Sequence, residues 1–298
     1  MFTDTHFHLR NLNEQGIDIP VLFSELYDAD FSFLMDIGTR CDDIESRIFV
    51  AKSAFQSLCE QNKSDVAKKI SDVLYFSAGV WPDVDAIKNA NDQMKILKEF
   101  VENCSEKERI VAIGECGLDH HWNVNGNDHR DESLFDSDLF TKEAEFFEMQ
   151  IEFARELDKP VVVHSRDAFD GTLSCIKNVG YHNGEIHCFS YGKKEAEAFL
   201  DLGWYIAFGG AVTYTKKRCM EDMKDLIRYI PLDRMLMETD APYLAPVPFR
   251  GKTNTPRLID NTYKFVCEIL GMDFDNFTIQ MAKNAKNLFL QVETCGII

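Results

Sequence analysis

Residues 2–9 read Phe2-Thr3-Asp4-Thr5-His6-Phe7-His8-Leu9. The run is short and rich in aromatic and β-branched side chains, which predicts a strand. His6 and His8 stand two apart, so on a strand both project from the same face. Seven further runs of the same kind follow: Phe31–Gly38, Leu74–Val80, Arg109–Glu115, Pro160–His164, Gly184–Cys188, Gly203–Phe208 and Arg234–Asp240. Helical patterns lie between most of them. Phe140, Ala144, Phe147, Ile151 and Ala154 recur at the three-and-four spacing of one buried helix face. Thr255-Pro256 reads as an N-cap followed by proline at the first helical position. Gly203 is placed to close a helix that begins near Lys193. Eight strands alternating with helices predict an α/β fold, a closed parallel (β/α)8 TIM barrel. A doubly wound open sheet is the rival, and the strand count favours the barrel. With no linker rich in proline, glycine or serine and no internal repeat, residues 1–298 are expected to form a single domain. The polar, acidic stretch Asn123–Asp138 reads as a loop inserted after the fourth strand.

On that frame the potential metal donors fall into register. His6 and His8 lie on the first run, Glu115 ends the fourth, His164 the fifth, His187 lies near the end of the sixth, and Asp240 ends the eighth. These are the C-terminal strand ends, where barrel enzymes keep their active sites. Any one of these residues is as well explained by core packing or a helix cap. Burying two carboxylates among four histidines, however, requires compensation, and divalent cations supply it. The expected arrangement gives His6, His8 and Asp240 to one ion and His164 and His187 to another, with Glu115 between them. Two ions about 3.5–4 Å apart bring the pKa of bound water toward roughly 7 and stabilise the attacking and leaving oxygens of a displacement. Glu115 and Asp240 are the expected catalytic residues, with Asp240 accepting a proton from the attacking water. Magnesium or manganese suits the carboxylates, and zinc suits the imidazoles.

The local words around these donors resemble the TatD family of metal-dependent deoxyribonucleases. They are Thr5-His6-Phe7-His8-Leu9, Gly114-Glu115-Cys116-Gly117-Leu118-Asp119, His164-Ser165-Arg166-Asp167-Ala168, His187-Cys188-Phe189-Ser190 and Glu238-Thr239-Asp240-Ala241-Pro242-Tyr243-Leu244. Arg250-Gly251-Lys252 and Asn284-Ala285-Lys286-Asn287-Leu288-Phe289 extend the likeness to the last helix. HxH alone is a weak signal; five words in order are a strong one. The resemblance implies a barrel of the amidohydrolase superfamily and magnesium- or manganese-dependent exonuclease activity on DNA, typically from a 3′ end. It also implies metal-binding positions at His6, His8, Glu115, His164, His187 and Asp240, with a bridging glutamate. The chain departs from the family pattern at Tyr191, where glycine is usual, and at Thr255 in Asn254-Thr255-Pro256, where glutamate is usual. Neither departure touches a donor.

The formal net charge is −18, which excludes a protein that coats nucleic acid with its whole surface. A local grip on one strand end is compatible with it. Lys216-Lys217-Arg218 follow the seventh strand, and Arg250, Lys252 and Arg257 follow the eighth, in loops where barrels commonly bind phosphate. Arg250, Lys252, Arg166 and His121 are the expected substrate contacts. Tyr243 and Trp81 are either base-stacking or packing residues. Cys116 and Cys188 are expected to pack the barrel. DNA, single-stranded or at 3′ ends, is the expected partner of a monomer. The alternative is an ester or amide hydrolase with the same metal chemistry, acting on a lactone or an aminoacyl-tRNA. A binding protein that had lost catalysis would lack donors, and all six are present.

Nine cysteines without a CxxC pair point to reduced thiols. The N-terminus lacks a signal-peptide pattern, and no apolar run is long enough to span a bilayer. A cytoplasmic location is expected, with a nuclear share if the source is eukaryotic. Cys295-Gly296-Ile297-Ile298 matches a prenylation box loosely, and chance explains the match better.

Overall fold

The computed structural model describes residues 1–125 and 130–291. The middle of the acidic loop (126–129), the side chain of Lys217 and the tail match Cys295-Gly296-Ile297-Ile298 lie outside the described residues. Eight parallel strands form one sheet, each paired with the next: β1 (Phe2–Phe7), β2 (Phe31–Asp36), β3 (Leu74–Ala78), β4 (Ile110–Asp119), β5 (Val161–Arg166), β6 (Gly184–Ile186), β7 (Tyr205–Phe208) and β8 (Met235–Met237). Parallel bridging of Phe7 with Ala241 brings the two ends together. Around them lie helices α1 (Leu9–Glu14), α2 (Ile19–Asp28), α3 (Ile44–Glu60), α4 (Ser64–Val73), α5 (Val84–Lys88), α6 (Ala90–Asn103), α7 (Ser137–Glu156), α8 (Phe169–Val179), α9 (Lys193–Leu200), α10 (Met220–Tyr229), α11 (Ile259–Leu270) and α12 (Phe274–Phe289). This is the (β/α)8 barrel that the sequence predicts. Among the described residues no helix is long and apolar enough to cross a membrane.

Strand alternation builds two apolar layers. Val161 and Val163 of β5 face the helices, whereas Val162 joins Met35, Ala112, Ala207 and Leu236 in the barrel interior. One end of that interior is plugged by α12 through Ala285, Leu288 and Phe289, with the Phe289 ring stacked on Phe33 at 5.5 Å. The donors gather at the opposite end, on the strands or in the first residues after them. Parallel strands buried on both faces explain why each reads as an apolar run.

Two expectations about boundaries are corrected. Glu115 and His164 lie within β4 and β5, because both strands run on, to Asp119 and Arg166, whereas His8, His187 and Asp240 lie past the ends of β1, β6 and β8. The β4–β5 register slips between Gly114 and Cys116, which leaves Glu115 out of the pairing. Phe140 is not on the buried face of α7; that face runs through Leu139, Glu143, Phe146, Phe147, Gln150 and Ile151. Phe140 instead joins a cluster outside the helix face, against His120, Trp122 and Phe135. Pro256 opens a 3-10 turn (Pro256–Leu258) ahead of α11, and Thr255 makes no side-chain cap. α9 is capped by Asp201, and Gly203, at φ +85°, turns the chain two residues beyond that cap.

Candidate metal centre

Barrel closure brings the first and last strands' donors together. The Asp240 N–H donates to the His6 carbonyl and the His8 N–H to the Ala241 carbonyl, each over 2.8 Å. The Asp240 carboxylate then lies 3.4 Å from His8 Nε2 and 3.7 Å from His6 Nε2. Across the barrel, one oxygen of Glu115, Oε2, lies 3.3 Å from His6 Nε2 and 3.1 Å from His187 Nε2. The His6 and His187 rings stack at 4.0 Å. His164 Nδ1 faces His187 Nε2 at 3.1 Å. All six sequence-predicted donors therefore meet at one mouth. Among the described residues three groups could hold a cation: His6, His8 and Glu115; Glu115, His164 and His187; and His6, His187 and Glu238. Asp240 is in none of them.

The donor set fits a metal on structural grounds. Among the described residues, the buried His6 ring nitrogens, Glu115 Oε2 and His187 Nδ1 make no hydrogen bond of good geometry, and only ion-pair contacts face them. Leaving such groups unsatisfied is unfavourable, and a cation between them removes the penalty. Protonation is shifted accordingly. Burial pushes the Glu115 carboxyl up, but His187 and His6 outweigh it and hold the group well below the glutamate range. Burial pulls His187 down, but Glu115 and Glu238 hold it well above the usual histidine value. For Asp240, burial is again outweighed, by His8 and His6, and the carboxyl is lowered. His6 is lowered, by burial and then by the neighbouring His187.

Two carboxylates that the sequence reading left without a role stand behind the histidines. Asp119 Oδ2 lies 3.0 Å from His164 Nε2, the nitrogen that points away from the other donors. Glu238 Oε1 accepts from the Cys188 N–H at 2.5 Å and lies 3.7 Å from His187 Nδ1. Carboxylates at the far nitrogen of a ligating histidine orient the ring and raise its basicity. The only signal for them was their presence in the GECGLD and ETDAPYL words.

A cavity of about 430 Å³ opens onto these groups. Arg166, Trp81, Tyr243 and Leu244 are on its wall, together with His8, Glu115, His164, His187 and Asp240. Trp81 meets His164 edge-on at 5.8 Å. Arg166 Nη1 approaches Asp119 Oδ2 at 4.0 Å. The other expected substrate contacts are not on the wall. His121 Nδ1 pairs with the exposed Asp167 carboxylate at 2.8 Å. Arg250 lies over the Tyr214 ring at 4.5 Å, and Lys252 is 5.7 Å from the Phe249 ring. Arg257 lies 3.7 Å from the Asp260 carboxylate. Cys116 packs in the core as expected. Cys188 does not: it has φ +45° and lines the cavity, its thiol pushed well up by burial and by Asp240 and Glu238. A thiol so suppressed is a poor nucleophile.

Comparison with known proteins agrees with this geometry. The family model described as TatD related DNase matches residues 3–290. YcfH of Escherichia coli K12, named an uncharacterized metal-dependent hydrolase, is 36% identical over 291 residues, covering 96% of this chain and 94% of its own length. YabD of Bacillus subtilis, named likewise, is 30% identical, covering 97% and 99%. Among solved structures, the TatD homolog YjjV of Escherichia coli superposes with a TM-score of 0.74 at 24% identity, over 97% of this chain and 98% of that one. A TatD family hydrolase of Entamoeba histolytica gives 0.73 at 19% identity, over 97% of each chain. These two show the shared barrel. With the family model spanning nearly the whole chain and relatives matched end to end, the chain belongs to the TatD-related DNase family of metal-dependent hydrolases.

Proposed function

We propose that this chain is a deoxyribonuclease that hydrolyses DNA phosphodiester bonds from a 3′ end of single-stranded DNA. It would work as a monomer, one barrel domain whose donors all come from the same chain. The observation that carries the reading is the position of Glu115 Oε2, about equally far from His6 and His187 and so shared by two donor groups. His6, His8 and Asp240 would hold one divalent ion, His164 and His187 the other, with Glu115 between them. Magnesium or manganese would serve in turnover, and zinc fits the same donors. When bound, the pair supplies charge neutralisation for the phosphate and activation of water.

The chain's own residues do the rest. Asp119 keeps His164 Nδ1 turned inward by accepting at Nε2. Asp240, kept ionised in spite of its burial by His8 and His6, accepts the proton of the attacking water. The water oxygen bonds to phosphorus and the bond to the leaving sugar oxygen breaks. Arg166 on the cavity wall offsets phosphate charge, and Arg250 on the loop after β8 engages the strand beyond the mouth. The eight described cysteines are all free thiols, which suits a reducing compartment such as the cytoplasm.

A time course on end-labelled single-stranded DNA tests the reading, run with EDTA, Mg²⁺, Mn²⁺ and Zn²⁺ beside a Glu115→Ala, Asp240→Asn double variant. Stepwise shortening that requires metal and vanishes in the variant is the expected result. No cleavage by folded, metal-loaded protein overturns it and directs the search to lactone and aminoacyl-tRNA substrates.

A further inference from the structure

Leu244 is an anomaly that metal chemistry does not explain. It is a bulky residue at φ +52°, a left-handed conformation that ordinary side chains avoid, yet its side chain is 37% exposed and lines the cavity. Its apolar surface is not isolated. Tyr243 beside it is 39% exposed, and Val247 three residues on is 47% exposed.

The backbone around Leu244 is held from several sides. Buried Asn254 donates Nδ2 to the carbonyls of Thr239 and Tyr243, at 2.9 and 2.7 Å. Its own N–H donates to the Pro242 carbonyl. The Leu244 carbonyl packs so closely on Gly210 that a Cβ there would come within 2.2 Å of it. The Tyr243 ring lies edge-on to His8 at 6.0 Å, with its hydroxyl accepting from Asn11 Nδ2 at 3.1 Å. An unfavourable conformation maintained by this many contacts, and presenting an apolar side chain to a reaction cavity, is characteristic of a ligand clamp.

We propose that Tyr243 and Leu244 form a ledge on which the unpaired base of the strand's terminal nucleotide rests while its phosphate lies at the metal centre. The proposal deepens the nuclease reading and rests on it. Charge selects the occupant. Arg166 shares the cavity wall with the ledge, and Arg250 stands on Tyr214, in the segment Gly210–Tyr214 that packs against the ledge through Gly210 and through Thr213, whose Oγ1 accepts from the Val247 N–H at 2.9 Å. An apolar face that shares its cavity with the Arg166 guanidinium, with Arg250 on the neighbouring segment, matches a base joined to phosphates, whereas the acyl chain of a neutral ester has no use for the cations. Every base has a π-face, so the ledge accepts any base but requires it to be unpaired.

The experiment compares two end-labelled single strands of one sequence, one ending in an ordinary nucleotide and one in an abasic residue. Both are cleaved by the manganese-loaded wild type and by Leu244→Asn, since asparagine tolerates the left-handed backbone. Wild type is expected to favour the base-bearing end by about tenfold in kcat/KM, mostly through KM. Leu244→Asn is expected to bring the ratio close to one, with its melting temperature recorded as a check on folding. Equal cleavage of both ends by wild type overturns the ledge and leaves the nuclease reading standing. Discrimination that survives in Leu244→Asn also overturns it. Cleavage of neither end by wild type removes the nuclease reading, and the ledge with it.

Discussion

The Asp240 N–H donates to the His6 carbonyl over 2.8 Å, so a hydrogen bond that closes the barrel also joins two of the candidate metal donors. Asp240 sits at φ +57°, and its carboxylate reaches both His6 and His8. Asparagine keeps the backbone bond and tolerates the left-handed conformation, but it cannot accept a proton. Asp240→Asn is therefore expected to lower kcat by at least about a hundredfold, with its melting temperature close to wild type. Near-normal turnover would remove Asp240 from the mechanism.

Asp119 acts one layer out. Its carboxylate accepts at His164 Nε2 and is held below the usual aspartate range because His164 outweighs the effect of burial. Asp119→Ala frees the ring to rotate and to change tautomer. Manganese affinity, read by titration calorimetry, is expected to fall by about 10- to 100-fold. Unchanged affinity would make Asp119 a structural residue only.

Arg47 is buried against the ends of β2 and β3. It pairs with Asp43 through Nε at 2.9 Å and with Asp36 through Nη1 at 2.8 Å, and Nη2 donates to the Ser77 carbonyl at 2.7 Å. Asp36 in turn accepts from the Leu9 N–H, next to His8. Arg47→Met strands two buried carboxylates, and urea unfolding is expected to show a loss of about 3–5 kcal/mol. A loss under about 1 kcal/mol, the scale of an exposed pair, would contradict that account.

The metal-free protein has a defined pH response. His187 is raised in the folded state, so its contribution is complete below about pH 6.5 and is lost as pH rises through the folded value. Asp4 is pushed up to about 8, chiefly by burial, so folding favours its protonated form and stability again declines as pH climbs from its ordinary range toward 8. Glu115 and Asp240 are depressed and act oppositely, their contribution being lost only on acidification. His6, lowered by burial, adds stability with rising pH only up to about pH 6.5, so in EDTA the melting temperature is expected to fall between about pH 6.5 and pH 8.5. Added Mn²⁺ should stabilise increasingly with pH over the same interval, because it displaces histidine protons. A rise in EDTA over this interval would contradict the assignment.

Arg250 lies over the Tyr214 ring at 4.5 Å, outside the cavity wall. Arg250→Ala is expected to raise KM more for long strands than for short ones, with metal content unchanged. Arg250→Lys should not restore it, since lysine loses both the stacking plane and the forked donors. An unchanged KM would exclude Arg250 from phosphate binding.

The eight strands were legible because each is covered on both faces and reads as an apolar run. Their ends were not. β4 runs on to Asp119 through Cys116-Gly117-Leu118, and nothing local marks Glu115 as lying inside it. Phe140 fits a helical period, but the loop before α7 draws it onto His120, Trp122 and Phe135. His121 lies near the donors in sequence, yet its ring turns to Asp167. Glu238 reaches the N–H of Cys188, fifty residues away, by a contact no spacing announces.

The sequence by itself determined the kinds of donor and the strand ends near which they fall, and for His6 on β1 the inward direction too, because side-chain direction on a strand follows from local backbone period. Only the tertiary structure decided which donors meet, which carboxylates stand behind them and which cations reach the cavity. Those distances depend on strand register and on the hydrogen bonds between the first strand and the segment after the last, which join residues more than two hundred positions apart.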